Sequence, residues 1–301
     1  MNWKIKAALH HAFNMMPFGD QFYYWAQKYV TRSLPRTMNE QSPYFKDVQS
    51  HLKVFRNSQI SLKDGRYYEF GAGWDLFQNI LFYAYGVREQ HLVDIKSLVR
   101  ADLINHVISY FREHPIDGSA KRDFPFVRQK HLRDDLAAYY GIYYRAPMDA
   151  QKTTFKTSSV DFIATTHTLE HIPYDVLENI LKECYRLSHD ETRVSMIVDY
   201  GDHFSYADST LTPYNYMQYS DRAWCWFNPS HHYQNRLRHS DYKALFIKSG
   251  FEIEHEVRVM GDSIAALNQN ISLHPKFSHY GEEDLLTLQG HFSLRKKKGA
   301  L

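Results

Sequence analysis

Between residues 66 and 200 short apolar runs alternate with amphipathic stretches in a rhythm that few folds accommodate. "RYYEF" runs into "GAGWD", and "LFQNILFYAYG" follows, ended by Gly86. Then come "HLVDI", the strongly periodic "SLVRADLINHVISYFREH", a polar and charged stretch at 114–135, and "IYYRAP". "VDFIAT", "YDVLENILKECYRLS" and "RVSMIVDY" complete the series. Strands alternating with helices of this length argue for βαβ units and a parallel sheet. Right-handed crossovers then put helices on both of its faces, so the expected class is α/β and doubly wound.

Residues 202–239 break the rhythm with dense aromatic, Asn, His and Arg residues and no clean period. They read as an insertion after the fifth strand. A helix at "SDYKALFIKSG", a strand at "FEIEHEVRV" and a last strand at "HFSLRKKK" are expected beyond it. Residues 1–60 read as a helical cap, and 61–301 as the main domain carrying the insertion on its substrate side. In the cap, "DQFYYWAQKYVTRSL" sets Phe22, Ala26, Tyr29 and Val30 on one face, with Asp20 as a helix N-cap. That aromatic face is expected to pack on its own domain. Lys4, Lys6 and Trp3 leave peripheral membrane contact through these helices open.

A formal charge of +2 is too balanced to point to nucleic acid. Cys184 and Cys225 have neither CxxC spacing nor the density of a disulfide framework, which suits a reducing compartment. No apolar run has the length of a membrane span. The stretch after Lys4 and Lys6 is interrupted by His10, His11 and Asn14, so no signal peptide is read and a cytoplasmic location is expected. The sequence does not fix the oligomeric state.

In an open α/β sheet, ligands bind beyond the carboxyl ends of the strands. Four segments would converge there. Gly71 and Gly73 in "EFGAGWD" allow a tight turn and a close backbone approach to a ligand. Asp75 holds the place of the third glycine of a dinucleotide fingerprint; its carboxylate would repel a pyrophosphate and favours a ligand without phosphates or one with positive charge. Asp94, about two dozen residues on at the end of the next strand, can accept from both hydroxyls of a ribose. Asp149 in "RAPMDA" suits the exocyclic amine of a base, and the fourth strand delivers Thr165, Thr166 and His167 to the same rim.

"HTLEH", residues 167–171, spells H-x-x-E-H, the string of an inverted zinc peptidase. Such a site needs both histidines on one helical face. Here His167 directly follows an apolar strand and Pro173 comes two residues after His171, so the string straddles a turn and the peptidase reading is poor. No metal ligand is assigned and a divalent cation is not expected, although His167, Glu170 and His171 leave a lesser metal role open.

"YYEFGAGWD", "LVDI", "APMDA" and "VDFIATTHTLEHIP", in this order and spacing, resemble class I S-adenosylmethionine-dependent methyltransferases, and most of all the type 11 methyltransferase domain family. The resemblance covers roughly residues 66–200 and continues through "SDYKALFIKSGFEI"; Asp75 in place of a glycine departs from it. It implies a Rossmann-like seven-stranded sheet with the last strand antiparallel. It implies that Glu69, Gly71 and Gly73 flank the methionine part of the cofactor, that Asp94 holds the ribose, and that Asp149 and Ala150 meet the adenine. Thr165, Thr166 and His167 would stand at the sulfonium end, and S-adenosylhomocysteine would be the product.

A methyl group on a sulfonium is already activated, so the protein must chiefly align an acceptor and, for a hydroxyl, supply a base. The candidate bases are His167, Asp199 and His203, with Asp202, His231 and His232 as further ones. Exocyclic-amine methylation of DNA goes with [DNS]-P-P-[YF] after the fourth strand, where this chain reads "TTHT". The expected activity is O-methylation of a sugar, glycan or related small molecule, in glycan or secondary-metabolite modification. N-methylation is the nearer rival, and a non-catalytic scaffold or partner subunit of the same fold the more distant one.

Overall fold

The computed structural model describes residues 2–16, 18–116, 122–261, 263–265, 267 and 271–299. Its centre is a seven-stranded sheet of order β3-β2-β1-β4-β5-β7-β6. The strands are β1 (Arg66–Phe70), β2 (Glu89–Val93), β3 (Ile142–Arg145), β4 (Val160–Thr166), β5 (Ser188–Asp199), β6 (Phe251–Met260) and β7 (Thr287–Lys296). The first five pair in parallel, and β7 enters antiparallel between β5 and β6. The chain order reverses between β1 and β4, so the loops after these two strands open the crevice where such sheets take ligands.

Helices α3 (Pro43–Arg56), α4 (Phe77–Ala84), α5 (Ala101–Glu113) and α6 (Leu132–Tyr140) cover one face. Helices α7 (Tyr174–Leu187) and α9 (His239–Lys248) cover the other. The apolar spacing explains the choice of face. Leu103, Ile104, Val107, Ile108 and Phe111 of α5 recur at three- and four-residue intervals and are all buried. In α7 the same holds for Leu177, Ile180, Leu181, Cys184 and Tyr185. Helix α3 starts where Ser42 Oγ accepts from Phe45 N (3.2 Å) and Pro43 supplies a helix-ready φ at the first position. It buries Phe45, Val48, Leu52 and Phe55 among residues of β1 and β4 and is one of the helices of the sheet's own layer.

A third apolar cluster joins helix α1 (Trp3–Met15) to the insertion: Trp3 and Ala7 pack with Phe204, Tyr216, Met217 and Trp224. Within the insertion lies one further short helix, α8 (Asp221–Trp224). Arg238, fully buried, ties the insertion's end to the sheet by donating to the carbonyls of Tyr200, Asp284, Leu285 and Thr287 and to the Tyr216 hydroxyl.

Three expectations need correction. Helix α2 (Gly19–Trp25) begins after Phe18, which lies in the left-handed region (φ 69°), and no side chain caps it; Asp20 sits in its first turn and pairs with Lys96 (2.9 Å). The aromatic face there does not pack on the domain: Phe18, Phe22, Trp25, Tyr29 and Val30 form an exposed ridge, Tyr29 58% and Val30 64% accessible. A π-helical turn over Ala26–Val30 shifts the register, and the inward side is taken by Tyr24 and Lys28, both bound to Asp102. Finally, the polar stretch at 114–135 runs into α6, which buries Leu132, Leu136 and Tyr140 at four-residue spacing while Arg128 clasps Asp135.

Candidate functional site

The loop after β1 is shaped by two glycines in the left-handed region, Gly71 (φ 74°) and Gly73 (φ 73°). A Cβ on Gly71 would stand 2.3 Å from Thr168 Cγ2, so the loops after β1 and β4 touch there only because this residue has no side chain. Around Gly73 the opposite holds: a Cβ would find no atom within 4 Å. Glu69 is buried beneath the loop. Its Oε2 accepts from Tyr67 Oη (2.7 Å) and Asn79 Nδ2 (2.7 Å), and burial pushes its carboxyl up to about 7. Asp75 accepts from the amide of Phe77 (3.1 Å) at the start of α4 and pairs with Arg36 (3.1 Å), whose guanidinium lies 3.7 Å over the Tyr44 ring. The charge at the third-glycine position is thus neutralised by the chain's own cation.

Asp94 directly follows β2 and is 8% exposed. Burial pushes its carboxyl up to about 6, against the pull of the amides of Lys96, Gly73 and Ile95. Its carbonyl accepts from Met148 N (2.8 Å), which fastens the loops after β2 and β3 together. In the second of these, Asp149 accepts from Gln151 N (2.9 Å) and Gln151 Nε2 (3.0 Å), next to Ala150. Above the glycine loop Tyr24 stacks on Trp74 (5.7 Å, 19°). The side chains of Thr165 and Thr166 turn into the fold: Thr165 Oγ1 donates to the Phe70 carbonyl (3.2 Å), and Thr166 Oγ1 to Gln78 Oε1 (2.6 Å).

Past β4, His167 adopts a left-handed backbone (φ 51°) that aims its ring at α3. Its Nε2 lies 3.4 Å from Asp47 Oδ2, a contact without hydrogen-bond geometry that becomes an ion pair only when the ring is protonated. Burial lowers the His167 pKa, opposed by Asp199 and Asp47, and burial raises that of Asp47, opposed by His167. Asp199 closes β5. Burial works against its charge, but His203 (3.3 Å), His167 and the Tyr206 hydroxyl hold its pKa below the usual range. His203 in turn packs edge-on against His171 (4.9 Å) and His232 (5.9 Å). So His167 meets Asp199 and His203, which lie more than thirty residues further along the chain, at the rim of β4 and β5. Asp202 turns away into the insertion to accept from Asn215 Nδ2 (2.8 Å) and Phe204 N (2.8 Å). His232 stacks on Phe204 (4.7 Å), and the side chain of His231 lies outside the described residues.

Beneath the rim runs a buried polar chain that the sequence did not announce. His291 Nε2 meets Ser195 Oγ (2.7 Å), which meets His51 Nδ1 (2.6 Å), and His51 Nε2 meets Thr166 Oγ1 (2.8 Å). From Thr166 it continues through Gln78 to Tyr67 Oη (2.7 Å) and Glu69. Because Thr166 donates onward, it must accept from His51 Nε2–H, which leaves Nδ1 as the acceptor from Ser195. Every hydrogen bond then points one way, from β7 towards Glu69. Asp47, His51, Ser195, His291 and Arg36 carry no local motif, so nothing short of the fold joins them to the site.

Residues 126–195 match the model of the type 11 family described as "Methyltransferase domain". No curated protein matches the sequence. Among solved structures, Burkholderia thailandensis 1,6-didemethyltoxoflavin-N1-methyltransferase, with 1,6-didemethyltoxoflavin and S-adenosylhomocysteine bound, is similar at 11% identity and TM-score 0.48, over 93% of this chain and 87% of that one. The PH0226 protein of Pyrococcus horikoshii OT3 aligns at 14% identity and TM-score 0.46, covering 89% and 97%. The YcgJ protein of Bacillus subtilis aligns at 13% and 0.44, covering 83% and 99%. The matched domain and the seven-strand order with its antiparallel β7 together support an enzyme, a class I S-adenosylmethionine-dependent methyltransferase.

Proposed function

We propose that this protein transfers a methyl group from S-adenosylmethionine to a hydroxyl of a sugar, glycan or related small molecule. The residues present fit the cofactor. Gly73 leaves the loop backbone open on the side where a Cβ would stand, and Asp94 presents a buried, acceptor-only carboxylate at the end of β2, where ribose hydroxyls would donate. Glu69, Gly71 and Gly73 would hold the methionine end, Asp149 and Ala150 the adenine. Thr165 and Thr166 would take part through the backbone, their side chains being engaged within the fold. When bound, the cofactor supplies an electrophilic methyl group on a sulfonium.

The observation that carries the hydroxyl reading is the pair His167–Asp47. A neutral amine attacks with its own lone pair, whereas a hydroxyl becomes a competent nucleophile as a base takes its proton. Burial favours the neutral form of His167, which is the form a base needs. With Nε2 facing Asp47, Nδ1 is the nitrogen available to an acceptor, and Asp47 stabilises the imidazolium that forms. Asp199 and His203 complete the polar wall. Tyr206, exposed and stacked on the His203 ring (5.5 Å), offers the flat face on which sugar rings lie. The test is incubation with S-adenosylmethionine and a panel of free sugars, glycans and amines, read by mass spectrometry. Methylated hydroxyls, with turnover of His167→Gln down about 100-fold or more, are the expected result. Methyl groups found only on nitrogen, at a rate His167→Gln does not change, would overturn it.

The exposed ridge of α2 and the turn after it supports a further element of the reading, peripheral contact with a membrane surface. No helix among the described residues is long and apolar enough to cross a bilayer.

A further inference from the structure

The H-x-x-E-H string is broken in a way that builds something else. His167 leaves β4 towards Asp47, and Leu169–His171 forms a single 3-10 turn. Glu170 and His171 face His203 from the loop after β5. One ligand atom from each, a carboxylate oxygen and two imidazole nitrogens, lie within 4.8 Å of one another. We propose that Glu170, His171 and His203 bind a divalent transition-metal ion of the imidazole-preferring class, with zinc as the best-fitting ion.

Glu170 is the strongest witness. It is 2% exposed, and neither carboxylate oxygen has a hydrogen-bond partner of acceptable geometry; the nearest donors are the amides of Glu170 and Asp199. Buried carboxylates in folded proteins are paired, hydrogen-bonded or bound to a cation. Burial and the nearby Asp199 charge favour the protonated form of Glu170 in the absence of a cation, and that proton satisfies only one of the two oxygens. A cation satisfies the group as it stands.

His171 is held as a histidine ligand usually is. The Nδ1 of His171 lies 2.7 Å from the Tyr233 carbonyl and donates to it, which fixes the tautomer and leaves Nε2 with its lone pair. Beside His203 stands Asp199, Nε2 to Oδ2 3.3 Å, bringing a second carboxylate to the cluster. His171 is exposed, which gives an ion a path from solvent.

Two imidazoles and one carboxylate favour zinc and its neighbours over magnesium or calcium, which want oxygen ligands throughout. Three protein ligands are also the count of an open site, with a position left for water or an incoming oxygen. Methyl transfer from a sulfonium requires no metal, so the ion would be an addition to the enzyme rather than part of its cofactor chemistry. The proposal does not rest on the choice of acceptor.

The experiment is calorimetric titration of the full-length, chelator-stripped protein with Zn²⁺, and with Co²⁺ read by its visible absorbance. His255→Gln, a substitution on exposed β6 away from the cluster, serves as the control. The expected result is one tight equivalent in the wild type and the control, weakened about 100-fold or more in Glu170→Gln and in His203→Gln. Circular dichroism identifies variants that remain folded, and two separate ligands are tested so that one misfolded variant does not decide the matter. A wild type without a saturable equivalent, or folded variants that bind as the control does, would overturn the proposal. S-adenosylhomocysteine titrated into the same stripped sample tests the cofactor site separately.

Discussion

Replacing Asp94 by Asn should make the apoprotein more stable and its hold on the cofactor weaker, and the two effects follow from one cause. The carboxylate is buried beside three backbone amides, and its pKa stands at about 6 rather than 3.8. Two pK units correspond to about 3 kcal/mol spent on keeping the charge in the fold above pH 6. The sign is that of a raised acid: the folded state binds the proton more tightly than the unfolded chain. The apoprotein therefore loses stability as pH rises from about 4 through 6 and regains it as pH falls. Asn carries no charge, so up to about 3 kcal/mol of that cost disappears above pH 6.

A ribose diol reverses the balance. Hydrogen bonds to a charged acceptor contribute about 1.5–3 kcal/mol each, and Asn retains only the neutral part of that. A loss of about 1.5–3 kcal/mol, roughly 10- to 150-fold in affinity, is expected for S-adenosylhomocysteine. If only the ionised form binds, wild-type affinity at pH 5 should be about tenfold below that at pH 8, because about one site in ten is then ionised. The Asn variant should be flat over the same range. Titration calorimetry at several pH values and urea denaturation of the apoprotein measure both halves. Unchanged affinity in Asp94→Asn, or a flat wild-type profile between pH 5 and 8, would refute the placement of the ribose.

Three further outcomes are expected. Asp47→Asn should lower kcat about tenfold or more with little change in KM, since it removes the charge that favours protonated His167; a change confined to KM would count against the base assignment. Arg238→Lys should destabilise the fold by about 3 kcal/mol or more, because an ammonium cannot serve the five acceptors that the guanidinium reaches; urea unfolding within about 1 kcal/mol of wild type would contradict this. Changing Phe22, Trp25 and Tyr29 together to Ser should abolish sedimentation with anionic vesicles while sparing turnover of a water-soluble acceptor; sedimentation that persists would remove the ridge as the contact.

The parallel part of the sheet was legible because β1 to β4 are short, largely apolar and spaced by helices, and because Gly71, Gly73 and Asp94 stand at strand ends where spacing alone carries meaning. What stayed hidden has physical reasons. Helix α6 opens within a charged stretch, and its apolar positions, Leu132, Leu136 and Tyr140, recur only once per turn. The ridge after Phe18 misleads because an aromatic face looks like core until the π-helical turn and the pull of Asp102 on Tyr24 and Lys28 decide which side goes in. Asp47 lies in an otherwise ordinary amphipathic helix, 120 residues from His167 in sequence. The string at 167–171 did carry information, but about two different neighbours: its first histidine serves Asp47, and its last two residues face His203.

The chain from His291 to Glu69 raises a question that burial alone does not answer, since a cavity between α3 and the sheet could have been filled with leucines. His51 is its hinge. Fully buried and held neutral by that burial, it accepts from Ser195 and donates to Thr166, so each neighbour owes it one of its two partners. His51→Phe conserves much of the volume and adds apolar surface, yet should cost about 1–3 kcal/mol, because the Ser195 hydroxyl loses its acceptor and the Thr166 oxygen its donor in a dry interior. Ser195→Ala and Thr166→Val made in the same protein remove those two groups and pass the loss on to His291 Nε2 and Gln78 Oε1. The triple variant should therefore cost clearly less than the three single changes summed, a coupling that independent sites do not show. If the three changes simply add, the chain is a set of separate hydrogen bonds. If they couple, the rim that carries His167 is held in register with the glycine loop by one continuous polar network crossing β5, β4 and β1.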